Sequence, residues 1–245
     1  MRDTLIAAAQ HGARVTVTLQ ADPYRNPFGA QCNAAAARAL RRAGATVTLL
    51  TSDRAPFHLK SAVCDGVAYL DDRNWTKRGP ETVIADDDAA DVALVRDALG
   101  GHGGAGATLA TRKDEALRRE TALVDAAGDR PVIVETEHVA TSPLTRALER
   151  HAASGAATTL VLGRTRQHSA TEAHALAALA SAGVRIRYGG TNEKLALAGT
   201  AAWIGSGNAT GASGRGAGQL EWGMITREPA LVASVRAALK RDAAG

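Results

Sequence analysis

The chain has 245 residues, 45% of them hydrophobic but only 3% aromatic, so one large domain or two small ones can form a core built from Ala, Val and Leu. A formal charge of +4 without a Lys/Arg block suits phosphate-bearing partners and argues against a basic nucleic-acid-binding tail. Cys32 and Cys64 allow at most one disulfide and no cysteine metal cluster, and no apolar run reaches the roughly 18 residues of a membrane span.

In chain order, MRDTLIAAAQHG has a helical pattern and lacks the features of a secretory signal, so a cytoplasmic protein is expected as written; an upstream native start would instead allow a secreted or envelope-associated one. The strand RVTVTLQ follows, then a loop holding Asp22, Pro23, Asn26, Pro27 and Gly29. Next come the Ala-rich helix AQCNAAAARALRRAG and the strand ATVTLL. FHLKSAV and GVAYL form two more strands joined by a turn at Cys64-Asp65-Gly66. GGHGGAG, residues 100–106, reads as a flexible connection. The second half opens with the strand RPVIVET and the helix SPLTRALERHAASG, with Ser142 as N-cap and Pro143 at the first helical position. The strand ATTLVLG, the helix SATEAHALAALASAG, the strand VRIRYGG and then TNEKLALAG and TAAWIGSGN complete it. Alternating strands and helices predict an α/β architecture with a mostly parallel sheet. The division is a first repeat over 1–99, a linker and connecting helix over 100–128, and a second repeat over 129–245. The first repeat opens directly with a helix, so either it lacks a counterpart of the leading strand RPVIVET or the native start lies upstream of Met1.

The two halves match in register. Lys60 and Lys194 are 134 residues apart, as are Gly66 and Thr200, Asp72 and Ser206, and Asn74 and Asn208. Strand residues two apart share a face, which puts His58 with Lys60, Asp72 with Asn74, Asn192 with Lys194 and Ser206 with Asn208. If the halves pack about a pseudo-twofold axis, Lys60, Lys194, Asn74, Asn208 and Ser206 converge as two ammonium groups and several neutral donors, a set suited to a phosphoryl group.

His58-x-Lys60-x4-Asp65 resembles the H-x-K-x4-D motif of the phospholipase D superfamily, Gly205-Ser206-Gly207-Asn208 resembles the G-S-x-N that follows it, and Glu221 resembles a downstream acidic residue. The resemblance covers nearly the whole chain and implies duplicated α/β/α halves, each with a mostly parallel mixed sheet, packed about a pseudo-twofold axis. It further implies a phosphodiesterase or phosphatidyl (phosphoryl) transferase working through a phosphohistidine at His58. Lys60, Asp65, Lys194 and Glu221 would complete the catalytic set. Asn74, Ser206, Asn208 and Asn192 would bind the phosphate, and Glu81 or Glu221 would orient the imidazole. No metal or other cofactor is implied. The expected partner is a phosphodiester, a phospholipid ahead of a nucleic acid, met by a monomer whose halves form a pseudo-dimer, with peripheral membrane contact. A catalytically impaired phosphate-, lipid- or nucleic-acid-binding protein and a nuclease of the same superfamily are the alternatives; few aromatics leave few stacking platforms for single strands.

The second motif departs from the pattern, with Asn192 for histidine and Gly199 for aspartate, and Asp72 stands where a serine is expected. An amide has no proton to give near neutral pH, so Asn192 cannot be a general acid. Among His11, His102, His138, His151, His168 and His174, His138 follows the strand RPVIVETE and is the best substitute; the others read as surface or helix residues.

Overall fold

The computed structural model describes residues 1–23, 26–51, 56–72, 82–163, 168–211 and 218–244. The first half runs α1 (Arg2–Gln10), β1 (Thr16–Gln20), α2 (Pro27–Arg42), β2 (Thr46–Leu50), β3 (Ser61–Cys64), β4 (Val67–Asp71), β5 (Val83–Asp86) and α3 (Ala89–Leu99). After β6 (Leu109–Ala110) and α4 (Lys113–Asp125) come β7 (Val132–Thr136), α5 (Pro143–Ala153), β8 (Thr158–Gly163), α6 (Ala170–Ser181), β9 (Arg185–Gly190), β10 (Leu195–Ala198), β11 (Ala201–Gly205), β12 (Gly223–Thr226) and α7 (Pro229–Ala243).

Local chemistry sets the helix starts. The Asn26 side chain accepts from the N–H groups of Phe28 and Gly29 ahead of Pro27, where a missing N–H costs α2 nothing. Ser142 and Thr145 form a reciprocal capping box at α5, and Ser169 caps α6 by accepting from Glu172 N. Between β3 and β4, Asp65 and Gly66 both take positive φ (49° and 87°), the backbone of a two-residue hairpin turn whose twist matches the strands.

The expected duplication is present. Offsetting by 134 residues lays β3 on β10 and β4 on β11 end to end. The second half contributes most of a seven-stranded sheet, ordered β6-β12-β11-β10-β7-β8-β9, in which β7, β8 and β9 are parallel. β10, β11 and β12 are antiparallel, as are β3, β4 and β5. Strand directions are therefore more evenly mixed than alternation alone predicts. Tight turns at 65–66 and 199–200 reverse the chain, and only an antiparallel partner can follow such a turn.

The first half differs in one respect: its sheet is split, with β1–β2 parallel in one piece and β3-β4-β5 in another. The strand that joins the corresponding pieces of the second half is β7, and among the described residues none of the first half takes its place.

Residues 100–106 are a packed connection rather than a loose one. Gly104 N donates to Thr111 Oγ1, Thr111 N donates to Gly104 O, and a Cβ on Gly103 would lie 2.6 Å from Leu220 Cδ2. They lead into β6, which pairs with β12.

A single core joins the halves, with Leu59, Leu70 and Val95 of the first packed with Leu195, Ile204 and Trp222 of the second. The seam is also hydrogen-bonded. Phe57 and Leu220 form a parallel bridge, His58 N donates to Leu220 O (3.0 Å), Leu220 N to Pro56 O (2.8 Å), and Trp222 Nε1 to Asp71 O (2.7 Å). Among the described residues no helix is long and apolar enough to cross a membrane, and Cys32 and Cys64 are both free and exposed.

Candidate active site

His58 lies in the extended approach to β3, its backbone held by the bridge to the second half. That bridge sets Glu221, the residue after Leu220, beside the imidazole, with His58 Nδ1 3.0 Å from Glu221 Oε1. Both side chains are largely withdrawn from water. Burial lowers the His58 pKa below its ordinary value; Glu221 opposes the shift, and the charges of Lys60 and Lys194 add to it. Burial pushes the Glu221 carboxyl up, but His58, Lys113 and Lys60 outweigh it and leave the group below its ordinary value. The pair is thus a carboxylate beside a neutral imidazole at neutral pH. With Nδ1 turned to the carboxylate, Nε2 is left as the unprotonated nitrogen.

The duplicated lysines lie together behind this pair and are arranged alike. Lys60 Nζ donates to His58 O (2.8 Å) and Lys194 Nζ to Asn192 O (2.7 Å), each reaching the carbonyl two residues back. Lys60 and Lys194 are only 9% and 4% exposed, so their charges act through little water. Burial lowers Lys60 to about 7, Glu221 opposing and Lys194 reinforcing. Ser206 is fully buried, and its Oγ accepts from Trp222 N (3.1 Å), which leaves its hydroxyl proton to donate.

The chain was compared with known proteins on this basis. No family profile matches the sequence, and neither does any curated protein. Among solved structures, the chain is similar to polyphosphate kinase from Porphyromonas gingivalis at TM-score 0.67 and 14% identity, over 98% of this chain and 40% of that one. A phospholipase D family member, Nuc from Salmonella typhimurium, matches at TM-score 0.48 and 14% identity, over 55% of this chain and 91% of that one. The chain shares the fold of the matched part of that kinase. It spans well under half the length of the kinase, so the likeness concerns the fold alone.

Within this fold, His58 and Glu221 line a cavity of about 340 Å³ together with Lys113, His138, Glu172 and Asn208. Lys113 is not distinguished in the sequence. It opens α4, outside both repeats, is 8% exposed, and places Nζ 3.1 Å from Thr210 Oγ1 and 3.9 Å from Glu221 Oε1. His138 lines the same cavity, its Nδ1 3.5 Å from Glu172 Oε1.

Other motif residues go elsewhere. Asp65 is exposed in the β3–β4 turn and is not brought to the cluster; the Asp-Gly turn accounts for it. Asn192 sits in the left-handed region (φ 70°) with its amide against Gly163, where a Cβ would lie 2.1 Å from Asn192 Oδ1, and it does not line the cavity with His58. Asp72, the serine replacement, is fully buried and its Oδ1 accepts from Thr82 N (3.1 Å). Burial raises its pKa to about 7 despite that bond, so near neutrality much of it carries no charge to repel a phosphate. Asn74 and Glu81 lie outside the described residues.

Proposed function

We propose that this chain is a phosphodiesterase or phosphoryl-transferring enzyme in which His58 Nε2 is the nucleophile. The observation that carries the reading is the 3.0 Å approach of Glu221 Oε1 to His58 Nδ1, in a site where burial and two lysines keep the imidazole neutral. The Nε2 lone pair forms the P–N bond as the P–O bond to the leaving group breaks. The imidazole becomes positively charged, and the Glu221 carboxylate stabilises that charge through Nδ1–H. Lys60, Lys113, Lys194, Ser206 and Asn208 hold the phosphoryl oxygens. His138, paired with Glu172, gives its proton to the departing oxygen in place of the histidine missing at position 192. Water or an acceptor alcohol then attacks phosphorus, its proton passing to His138, and the P–N bond breaks to restore His58. The substrate class supported is a phosphodiester, with a phospholipid ahead of a nucleic acid.

The test is turnover of bis(p-nitrophenyl) phosphate, phosphatidylcholine vesicles and single-stranded DNA by wild type, His58→Ala and His138→Gln, in EDTA, with acid-quench trapping. His58→Ala is expected to abolish turnover and the trapped adduct. His138→Gln is expected to lose roughly 10²–10⁴-fold on alkyl esters but little on the aryl ester, whose leaving group needs no proton. Full activity of His58→Ala on any substrate that wild type turns over would overturn the assignment.

A further inference from the structure

The strands β4 and β11 end in the same way, with one exchange of residue. Asp72 N donates to Thr82 O (3.3 Å) and Thr82 N to Asp72 Oδ1 (3.1 Å). At the twin position Ser206 N donates to Trp222 O (2.9 Å) and Trp222 N to Ser206 Oγ (3.1 Å). Leu70 and Ile204, two residues earlier, belong to the core that joins the halves, and strand alternation turns Asp72 and Ser206 to that same face. Both are fully buried. Each spends one acceptor on its ladder partner and keeps a second function for the seam. For Ser206 that function is the hydroxyl proton. For Asp72 it is Oδ2, which has no hydrogen-bond partner among the described residues.

The neighbouring donors are committed elsewhere. Thr82 Oγ1 gives its proton to Glu193 Oε1 (2.7 Å), and Lys194 Nζ is directed at Asn192 O (2.7 Å) and Glu137 Oε2 (3.4 Å). A carboxylate oxygen is costly to bury without a donor, whereas a carboxylic acid in the same place is itself a donor. The surroundings favour the acid. Burial is the largest influence, and Glu193 and Asp71 act with it; the bond from Thr82 N and the charge of Lys194 favour the carboxylate, and the balance holds Asp72 at about 7.

We propose that Asp72, in its carboxylic-acid form, donates Oδ2–H to a non-bridging oxygen of the bound phosphoryl group, as the first half's equivalent of the Ser206 hydroxyl. The inference rests on the phosphoryl-binding site proposed above and adds a condition to it: a tetrahedral oxyanion is held well only while this proton is present. The serine donates at any pH. The aspartate makes the first half's donor depend on pH, because its carboxylate form has no proton to give and repels the anion. Binding of the oxyanion therefore takes up one proton whenever Asp72 starts ionised.

The test is calorimetric titration of the full chain with inorganic sulfate, a tetrahedral dianion that does not itself titrate between about pH 6 and 8.5. Asp72→Asn keeps an oxygen to accept from Thr82 N and offers an amide N–H in place of Oδ2–H at every pH. At about pH 6 the variant is expected to bind sulfate within about threefold of wild type. At about pH 8.5 wild type must first take up a proton against a pKa of about 7, so the variant is expected to bind roughly 10–30-fold more tightly. Asp72→Ser, which installs the residue of the twin position, is expected to lose the same pH dependence. Lys60 titrates in both proteins, so its effect cancels in the ratio. A ratio of affinities that stays the same at the two pH values, for both variants, would overturn the proposal and leave the oxyanion site standing. Failure of wild type to bind sulfate at about pH 6, up to roughly 100 mM, would overturn it together with that site. Sulfate binding needs no nucleophile, so the ratio is read independently of the turnover test on His58.

Discussion

Replacing Glu221 by glutamine separates the charge of the His58 partner from its shape. The amide oxygen can still accept from His58 Nδ1–H, so the tautomer is retained, but the negative charge 3.0 Å from the ring and 3.9 Å from Lys113 Nζ is gone. A hydrogen bond to a charged group contributes about 1.5–3 kcal/mol. That interaction strengthens as the imidazole becomes positive during attack, so kcat should fall roughly 10–100-fold. The fold should survive, because the backbone bridge from Phe57 to Leu220 does not involve the carboxylate.

The pH profile supplies the more discriminating readout. Neutral His58 is the reactive form, so kcat/KM rises as pH climbs through the His58 pKa. Burial lowers that pKa and Glu221 raises it, so removing the carboxylate lowers it further and moves the acid limb to lower pH. Lys60, held at about 7 with Glu221 raising it, must be protonated to hold phosphate, so the descending limb moves the same way. The assay is bis(p-nitrophenyl) phosphate hydrolysis between about pH 4.5 and 8.5 for wild type and Glu221→Gln. A purely structural defect would lower the bell without moving it. An acid limb that stayed in place or moved to higher pH would refute the electrostatic role given to Glu221.

Two further outcomes are expected. Lys60→Arg replaces a group titrating at about 7 with one that stays charged, so the decline in kcat/KM above neutrality should flatten even where the peak rate is lower; a decline of unchanged steepness would assign that limb to another group. Asn192→His should recover less than about threefold of the rate on alkyl phosphodiesters, because position 192 is left-handed and its side chain fills space against Gly163; a hundredfold gain would show that the backbone readily re-forms an active second motif.

The twin lysines were legible in the sequence because strand spacing is rigid: a matched 134-residue offset carries Lys60 and Lys194 to matching places whatever the loops do. Glu221 was legible as an acidic residue downstream of a motif, although only the structure sets its carboxylate at the His58 ring nitrogen. Lys113 was not legible, since it enters from α4, has no duplicate, and resembles any charged residue in a first helical turn. Asp65 misled in the opposite direction: the sequence offers it both as the motif aspartate and as part of the Cys64-Asp65-Gly66 turn, and the structure, with Asp65 exposed at φ 49°, bears out the turn.

Asn192 shows where sequence reasoning stops most sharply. The sequence shows that an imidazole is absent from the second motif, which reads as a single lost function. The structure adds that the residue lies at φ 70° rather than in extended backbone, with its amide packed on Gly163 at the end of β8. Asparagine tolerates that conformation far better than most residues do, so the residue type and the backbone suit each other. The cavity is lined by His138 and Lys113, both from outside the two motifs. A histidine at position 192 would therefore sit where the residue does not line the cavity with His58, which is why the leaving-group proton is sought at His138 instead.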